Sequence, residues 1–156
     1  MTTEAAPLEG LLLPLGDEES DGFWAGAAAG ELRVQLCLAC GAVRFPPRVM
    51  CPECQSTERG WQALSGNGTI WSFVVVHPPV LPAYAPYAPF PVITVTLAEK
   101  PSLRMVGNLV TASGADINSV DPSTIEIGQP VRVVFTPRAR PDGTDVHLPQ
   151  WVRHAA

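Results

Sequence analysis

All four cysteines of the chain fall in two C-x-x-C pairs, Cys37-Leu38-Ala39-Cys40 and Cys51-Pro52-Glu53-Cys54, with ten residues between them. A C-x-x-C turn aims two sulfurs at one point. Two such turns brought together form the tetrahedral four-thiolate cage that structural zinc prefers. Gly41 after the first pair and Pro52 inside the second suit the tight backbone of such knuckles. The spacing therefore predicts a ribbon in which Cys37, Cys40, Cys51 and Cys54 hold a structural Zn2+, a closed shell with no open coordination position. Iron in the same cage would make a rubredoxin-like electron carrier, and spacing alone does not separate the metals, so Fe stands as the lesser assignment. Disulfides are disfavoured, because no export signal is expected and the spacing suits a metal better.

The flanking patterns predict what carries this ribbon. Leu32, Val34 and Leu36 alternate with Arg33 and Gln35, a strand with one buried face that delivers the chain to Cys37. Before it, Phe23, Trp24, Ala25 and Ala27 to Ala29 suggest a short helix, started by Ser20 or Asp21 and stopped by Gly30. Its aromatic pair either covers the neighbouring module or docks another subunit. From Trp61 onward the pattern is β-type, with five candidate strands at 69–77, 91–97, 103–110, 131–136 and 145–151. Gly66-Asn67-Gly68 and Asp142-Gly143 signal turns, and Asp121-Pro122-Ser123-Thr124 starts a short helical turn between the third and fourth strands. The expected fold is mainly β: a short N-terminal helix, the four-cysteine zinc ribbon, then a five-stranded OB-type barrel. A five-stranded sandwich fragment fits the same pattern. Residues 1–19 are expected to be a flexible acidic arm, 20–60 the helix and ribbon, and 61–156 the barrel with a C-terminal tail.

Charge narrows the functional classes. Residues 1–31 hold seven acids and no Lys or Arg, leaving ten bases and eight acids in the remainder. Four thiolates with one dication would bring that body close to neutral. A strongly basic nucleic-acid binder is thereby disfavoured, since non-specific phosphate affinity comes mainly from concentrated Lys and Arg. The apolar run Leu11 to Leu13 follows no basic residue, so a secretory or mitochondrial leader is not expected. Later apolar stretches are strand-sized, short of the roughly 20 residues that span a bilayer. The expectation is a cytoplasmic protein that does not enter membranes.

The segment from Phe23 to Cys54 combines a helix ending in Gly, a strand, a cysteine pair, a Gly-x-x-Arg-Phe-Pro-Pro-Arg connection and Cys-Pro-x-Cys. It resembles the acyl-CoA-associated OB-fold family with a rubredoxin-like zinc ribbon, long catalogued as a domain of unknown function. Gly68 to Phe73 resembles that family's entry into the first barrel strand, Met105 to Val110 its middle strand, and Ile127 to Phe135 its fourth. The resemblance covers roughly residues 20 to 152. It implies an accessory subunit beside a thiolase-fold partner (a thiolase, an acyltransferase or a steroid side-chain aldolase), stabilising the complex and helping to form the acyl-CoA site.

The residues agree with a role that is non-catalytic in isolation. Thiolase-type chemistry needs an activated cysteine beside an oxyanion hole, and every cysteine here is committed to the cage. His77, His147 and His154 lie on separate segments, without the orienting carboxylate and nucleophile of a catalytic set, and no catalytic residue is assigned. Arg44 and Arg48 are candidates for charge compensation beside the cage or for binding phosphates of a CoA ligand. Residues 77–91, HPPVLPAYAPYAPFP, hold six prolines with Tyr84, Tyr87 and Phe90 between them. Proline limits the entropy lost on binding and aromatic rings supply contact area, so Tyr84, Tyr87 and Phe90 join Phe23 and Trp24 as candidate partner contacts. The competing function is single-stranded nucleic-acid binding by an OB barrel with a structural ribbon, with Trp71, Phe73, Tyr84 and Tyr87 as stacking rings. Electron transfer by an iron-loaded ribbon and independent acyl-CoA catalysis are further alternatives.

Overall fold

A computed structural model describes residues 11–154. After an irregular stretch, helix α1 spans Asp21–Ala28. Ser20 sits at its N-cap position without capping it; the hydroxyl is engaged instead with the Asp17 carboxylate. The C-terminus behaves as Gly30 requires. At φ +77° Gly30 donates to Ala27 O and Glu31 N reaches back to Gly26 O, the paired bonds of a left-handed helix stop.

Strands β1 (Leu32–Cys37), β2 (Val43–Arg44) and β3 (Arg59–Leu64) form an antiparallel sheet in the order β2-β1-β3. Trp61, read from sequence as the start of the barrel runs, thus lies opposite Gln35 in the ribbon sheet. The simple alternation expected of β1 also breaks. Leu32 and Val34 are buried as expected, but Gln35 is fully buried and Leu36 only half so. The reason is polar: the Arg44 guanidinium from β2 and the Arg48 amide both donate to Gln35 Oε1, so the inward amide has partners that an alternation pattern cannot register.

The remaining strands are β4 (Asn67–Val76), β5 (Phe90–Leu97), β6 (Arg104–Asn108), β7 (Pro130–Ala139) and β8 (Asp145–Arg153). They run antiparallel in the order β6-β5-β4-β7-β8. A parallel bridge between Leu109 and Trp151, with Val110 N donating to Trp151 O at 2.8 Å, joins the two outer strands. That bridge closes the sheet and decides for a barrel over a sandwich fragment. Strand β4 bends to serve two neighbours: a bulge at Trp71 shifts its register against β5, while Asn67 to Thr69 pair with β7. Two expected turns are present. Asp121 Oδ1 accepts from Ser123 N and starts a 3-10 turn at Pro122–Thr124, and Asp142 Oδ1 accepts from Thr144 N in the β7–β8 hairpin.

The core is continuous across both sheets. Ile70, Ile93, Val95, Leu97, Met105, Val131 and Trp151 fill the barrel, and Phe23, Leu32 and Val34 from α1 and β1 belong to the same cluster. Helix α1 packs on β1, β7 and β8. The first half of β1 is therefore held by barrel packing, and its last residue, Cys37, begins the cysteine site.

Candidate functional site

The two cysteine turns are built alike. Cys37 N donates to Ala42 O and Gly41 N to Cys37 O; Cys51 N donates to Ser56 O and Gln55 N to Cys51 O. Each turn needs a left-handed residue at the same place, and Gly41 (φ +77°) and Gln55 (φ +63°) supply it. Gly41 adopts that conformation without penalty, whereas Gln55 does so with a side chain, held by its bond to Cys51.

The folded turns bring Cys37, Cys40, Cys51 and Cys54 together, with all four sulfurs within 4.8 Å of one another. Cys37 Sγ lies 3.6 Å from Cys54 Sγ, and Cys40 Sγ lies 3.7 Å from Cys51 Sγ. A regular tetrahedron with metal–sulfur bonds of about 2.3 Å has its sulfurs about 3.8 Å apart, so these residues fit a four-coordinate ion. Disulfide bonds are absent from the four, and Cys37 and Cys51 are buried while Cys40 and Cys54 are exposed.

Backbone N–H groups prepare half of the cage for ionisation. The Cys40 amide, aided by that of Ala39, pulls the Cys37 thiol down to about 6, and the Cys54 amide likewise lowers Cys51. At Cys40 the Ala42 amide favours the thiolate, but burial and the neighbouring sulfurs outweigh it and push the thiol up to about 12. Cys54 is raised in the same way against the Ser56 amide. Each turn thus pairs a thiol whose ionisation its backbone amides favour with one whose ionisation the neighbouring sulfurs oppose. That is the chemistry of a metal-binding set.

The candidate residues around the cage separate by exposure. Arg44 is 7% exposed, donates through Nε to Gln35, and has both Nη atoms buried without a partner. Its head is enclosed in the ribbon. Arg48 is exposed. Phe23 and Phe90, proposed from sequence as partner contacts, are buried in the chain's own packing: Phe23 against Trp24 and Phe45, and Phe90 against Tyr84. Trp24, Tyr84 and Tyr87 are half-buried and retain surface. His77, His147 and His154 sit at the end of β4, within β8 and after β8.

An outward face of the barrel adds residues not grouped from sequence. Ser72, Thr94 and Val106 share one register across β4, β5 and β6, and Val74 lies opposite Val92. Trp71, Val74 and Val106 are each more than half exposed, and the Arg104 guanidinium stacks 4.0 Å from the Trp71 ring. Only the pairing of the three strands gathers these side chains, so linear spacing carries no signal for the group. Among the described residues no helix is long and apolar enough to cross a membrane.

Comparison with known proteins divides the chain between residues 58 and 61. A family model for the rubredoxin-like zinc ribbon domain of ChsH2 matches residues 24–58, and one for the C-terminal OB-fold domain of ChsH2 matches residues 61–136. The chain is 31% identical over 147 residues to the 3-oxo-4,17-pregnadiene-20-carboxyl-CoA hydratase alpha subunit of Mycobacterium tuberculosis, covering 94% of this chain and 40% of that protein. This chain thus spans two fifths of that relative's length. It is 37% identical over 110 residues to a DUF35 domain-containing scaffold protein of Methanothermobacter thermautotrophicus, covering 70% of this chain and 74% of the relative. Among solved structures, a chain of the Ltp2-ChsH2(DUF35) aldolase superposes with a TM-score of 0.72 at 30% identity, over 90% of this chain and 98% of that one.

Proposed function

The chain belongs to the ChsH2 family, which joins a rubredoxin-like zinc ribbon to an OB-fold domain, and we propose that it is a non-catalytic accessory subunit of an enzyme complex acting on acyl-CoA thioesters. The observation that carries this reading is its likeness to the aldolase-complex chain over 98% of that chain's length. The likeness to the hydratase alpha subunit covers 40% of that protein, so the hydratase activity of the whole is no part of the proposal.

In this reading the four cysteines hold Zn2+ as a structural ion. The metal ties the two turns together and supplies no reaction chemistry, because a closed sulfur shell leaves it no position for substrate. The partner is a thiolase-fold subunit, as the sequence resemblance implies, and provides the nucleophile and oxyanion stabilisation. This chain provides contact surface: Trp24, Tyr84 and Tyr87, with the Trp71, Val74 and Val106 face as a second area. Arg48, which is exposed, is the arginine proposed to meet a CoA phosphate; its neighbour Arg44 is enclosed. A cytoplasmic, reducing location fits a set of thiolates held for metal.

Co-expression with a thiolase-fold partner, followed by size-exclusion chromatography and thioester turnover by each component, tests the proposal. The expected result is a stable complex whose activity exceeds that of the partner alone, with none from this chain alone. Turnover by the isolated chain, or failure to associate with every thiolase-fold candidate, overturns it.

A further inference from the structure

A partly open cavity lies away from the cysteines. A cavity of about 160 Å³ opens between the N-terminal segment, β6 and the β7–β8 hairpin. Leu11, Leu13, Ile117 and Leu148 give it apolar walls, Tyr84 from the proline-rich loop stands on its rim, and Arg138 of β7 lines it. The segment carrying the leucines is tied to the end of β7 by Arg140 Nη2, which donates to Pro14 O at 2.7 Å.

Arg138 is an unusual group for such a place. It is 5% exposed, its Nε is buried with no hydrogen-bond partner, and Nη1 donates only to the adjacent Pro137 carbonyl at 3.2 Å. Among the described residues no carboxylate lies within ion-pair distance of it. A guanidinium largely withdrawn from water favours an anion or further acceptors at its unpaired N–H groups. Burial lowers its proton affinity, with Asp116 and Tyr87 only partly opposing this. A second orphan donor lies behind the cavity wall, against one of its lining residues. Trp151 Nε1 is buried without a partner, and a Cβ built on Gly107, a lining residue, would stand 2.9 Å from it.

An incompletely paired guanidinium among largely apolar walls selects a small anion with an apolar body. The planar guanidinium fork matches a carboxylate. A cavity of this size is comparable to one of about 150 Å³ that admits benzene, which sets the ligand at roughly six to nine non-hydrogen atoms. We propose that the cavity is a binding site for a small monocarboxylate of the hexanoate or benzoate class, its carboxylate on Arg138 and its body against Leu11, Leu13 and Leu148. The site is separate from the metal cage and does not depend on the subunit role.

Titration of the zinc-loaded full chain with hexanoate, benzoate and the isosteric alcohols, followed by calorimetry and by Trp and methyl NMR shifts, tests this. Saturable carboxylate binding in the range of about 1–10 mM is expected for so few atoms, with the alcohols at least about tenfold weaker. Arg138→Met is expected to abolish the preference for the carboxylate. Because that exchange touches a buried strand residue, Leu148→Trp serves as a second variant, filling the cavity while keeping the arginine; it is expected to remove binding of both classes. Equal binding of acid and alcohol, unchanged binding by a folded Arg138→Met or Leu148→Trp protein, or no saturable shift in the parent chain would each assign the cavity to water and overturn the proposal.

Discussion

Replacing Cys51 by Ser tests the cage most directly, because the ribbon has little else to hold it. Between Leu38 and Glu58 only Arg44 and Cys51 are buried, so this stretch has no apolar core of its own. Its order rests on the sulfur cluster, the short β2 pairing, the four turn bonds, the bonds of Arg44 and Arg48 to Gln35, and the edge contact of Val43 and Phe45 with the neighbouring core. Structural zinc binds such sites with about 10–16 kcal/mol, and dividing by four sulfurs gives roughly 3 kcal/mol for each. At about 1.4 kcal/mol per tenfold, loss of one thiolate should weaken zinc by roughly a hundredfold or more. The damage should stay local, since Leu32 and Val34 at the start of β1 are packed with the barrel. Competition against a chromophoric chelator measures the affinity, and hydrogen exchange locates the disorder. Protection should fall at the Cys37, Gly41, Cys51 and Gln55 amides and persist in β4 to β8. A Cys51→Ser protein that keeps a full equivalent of zinc at unchanged affinity would refute the four-sulfur assignment; uniform loss of protection would refute the local one.

Three further outcomes follow from particular contacts. A Cβ at Gly68 would sit 2.5 Å from the Thr96 carbonyl, backbone that cannot yield, so Gly68→Ala should cost about 1–3 kcal/mol and lower the melting temperature by roughly 3–10 °C; a change under about 2 °C in circular dichroism melts would contradict the packing. Burial opposes ionisation of Glu99, but hydrogen bonds from Ser65 outweigh it and hold the carboxyl below its ordinary 4.5. The stability it contributes is therefore present above that value and lost as pH falls through the lowered one, and Glu99→Gln should destabilise at pH 7 but not at about pH 3. Melts across that range check it; a constant difference would refute the linkage. Combined Trp24→Ala, Tyr84→Ala and Tyr87→Ala exchange should weaken co-purification with a thiolase-fold partner at least about tenfold while leaving the zinc content unchanged, and undiminished complex on a size-exclusion column would remove these side chains from the interface.

What could be read from the chain was what neighbouring residues decide. The cysteine spacing, the glycine stop after α1 and the aspartate-started turns depend on a few bonds over a few residues, and they stand as expected. What escaped depends on partners distant in sequence. Gln35 looked solvent-facing until Arg44 and Arg48 came to its amide; β2, two residues long, has no period to detect; β3 lies outside the five candidate strands and shows itself only by its pairing with β1. Phe23 and Phe90 illustrate the ambiguity of aromatic residues, which serve an interface or a core equally well until the packing is seen. Choosing a barrel over a sandwich fragment rested on the contact of Leu109 with Trp151, residues 42 positions apart.

Strand β1 gives the architecture its consequence for function. Its six residues have Leu32 and Val34 in the barrel core at one end and Cys37 in the sulfur cluster at the other, with Gln35 between them bonded to the ribbon's own backbone and to Arg44. A rigid strand fixes the cage relative to the barrel more firmly than a loop would, since each end is set by independent packing. Trp24 is anchored beside that strand through Phe23, which joins the same core. Metal loss should therefore loosen the ribbon's outer turns before it moves Trp24, whereas a change in the Leu32 and Val34 packing should displace both. On the proposed accessory role, disturbance of the shared core should harm partner binding more than an equal loss of stability confined to the knuckles.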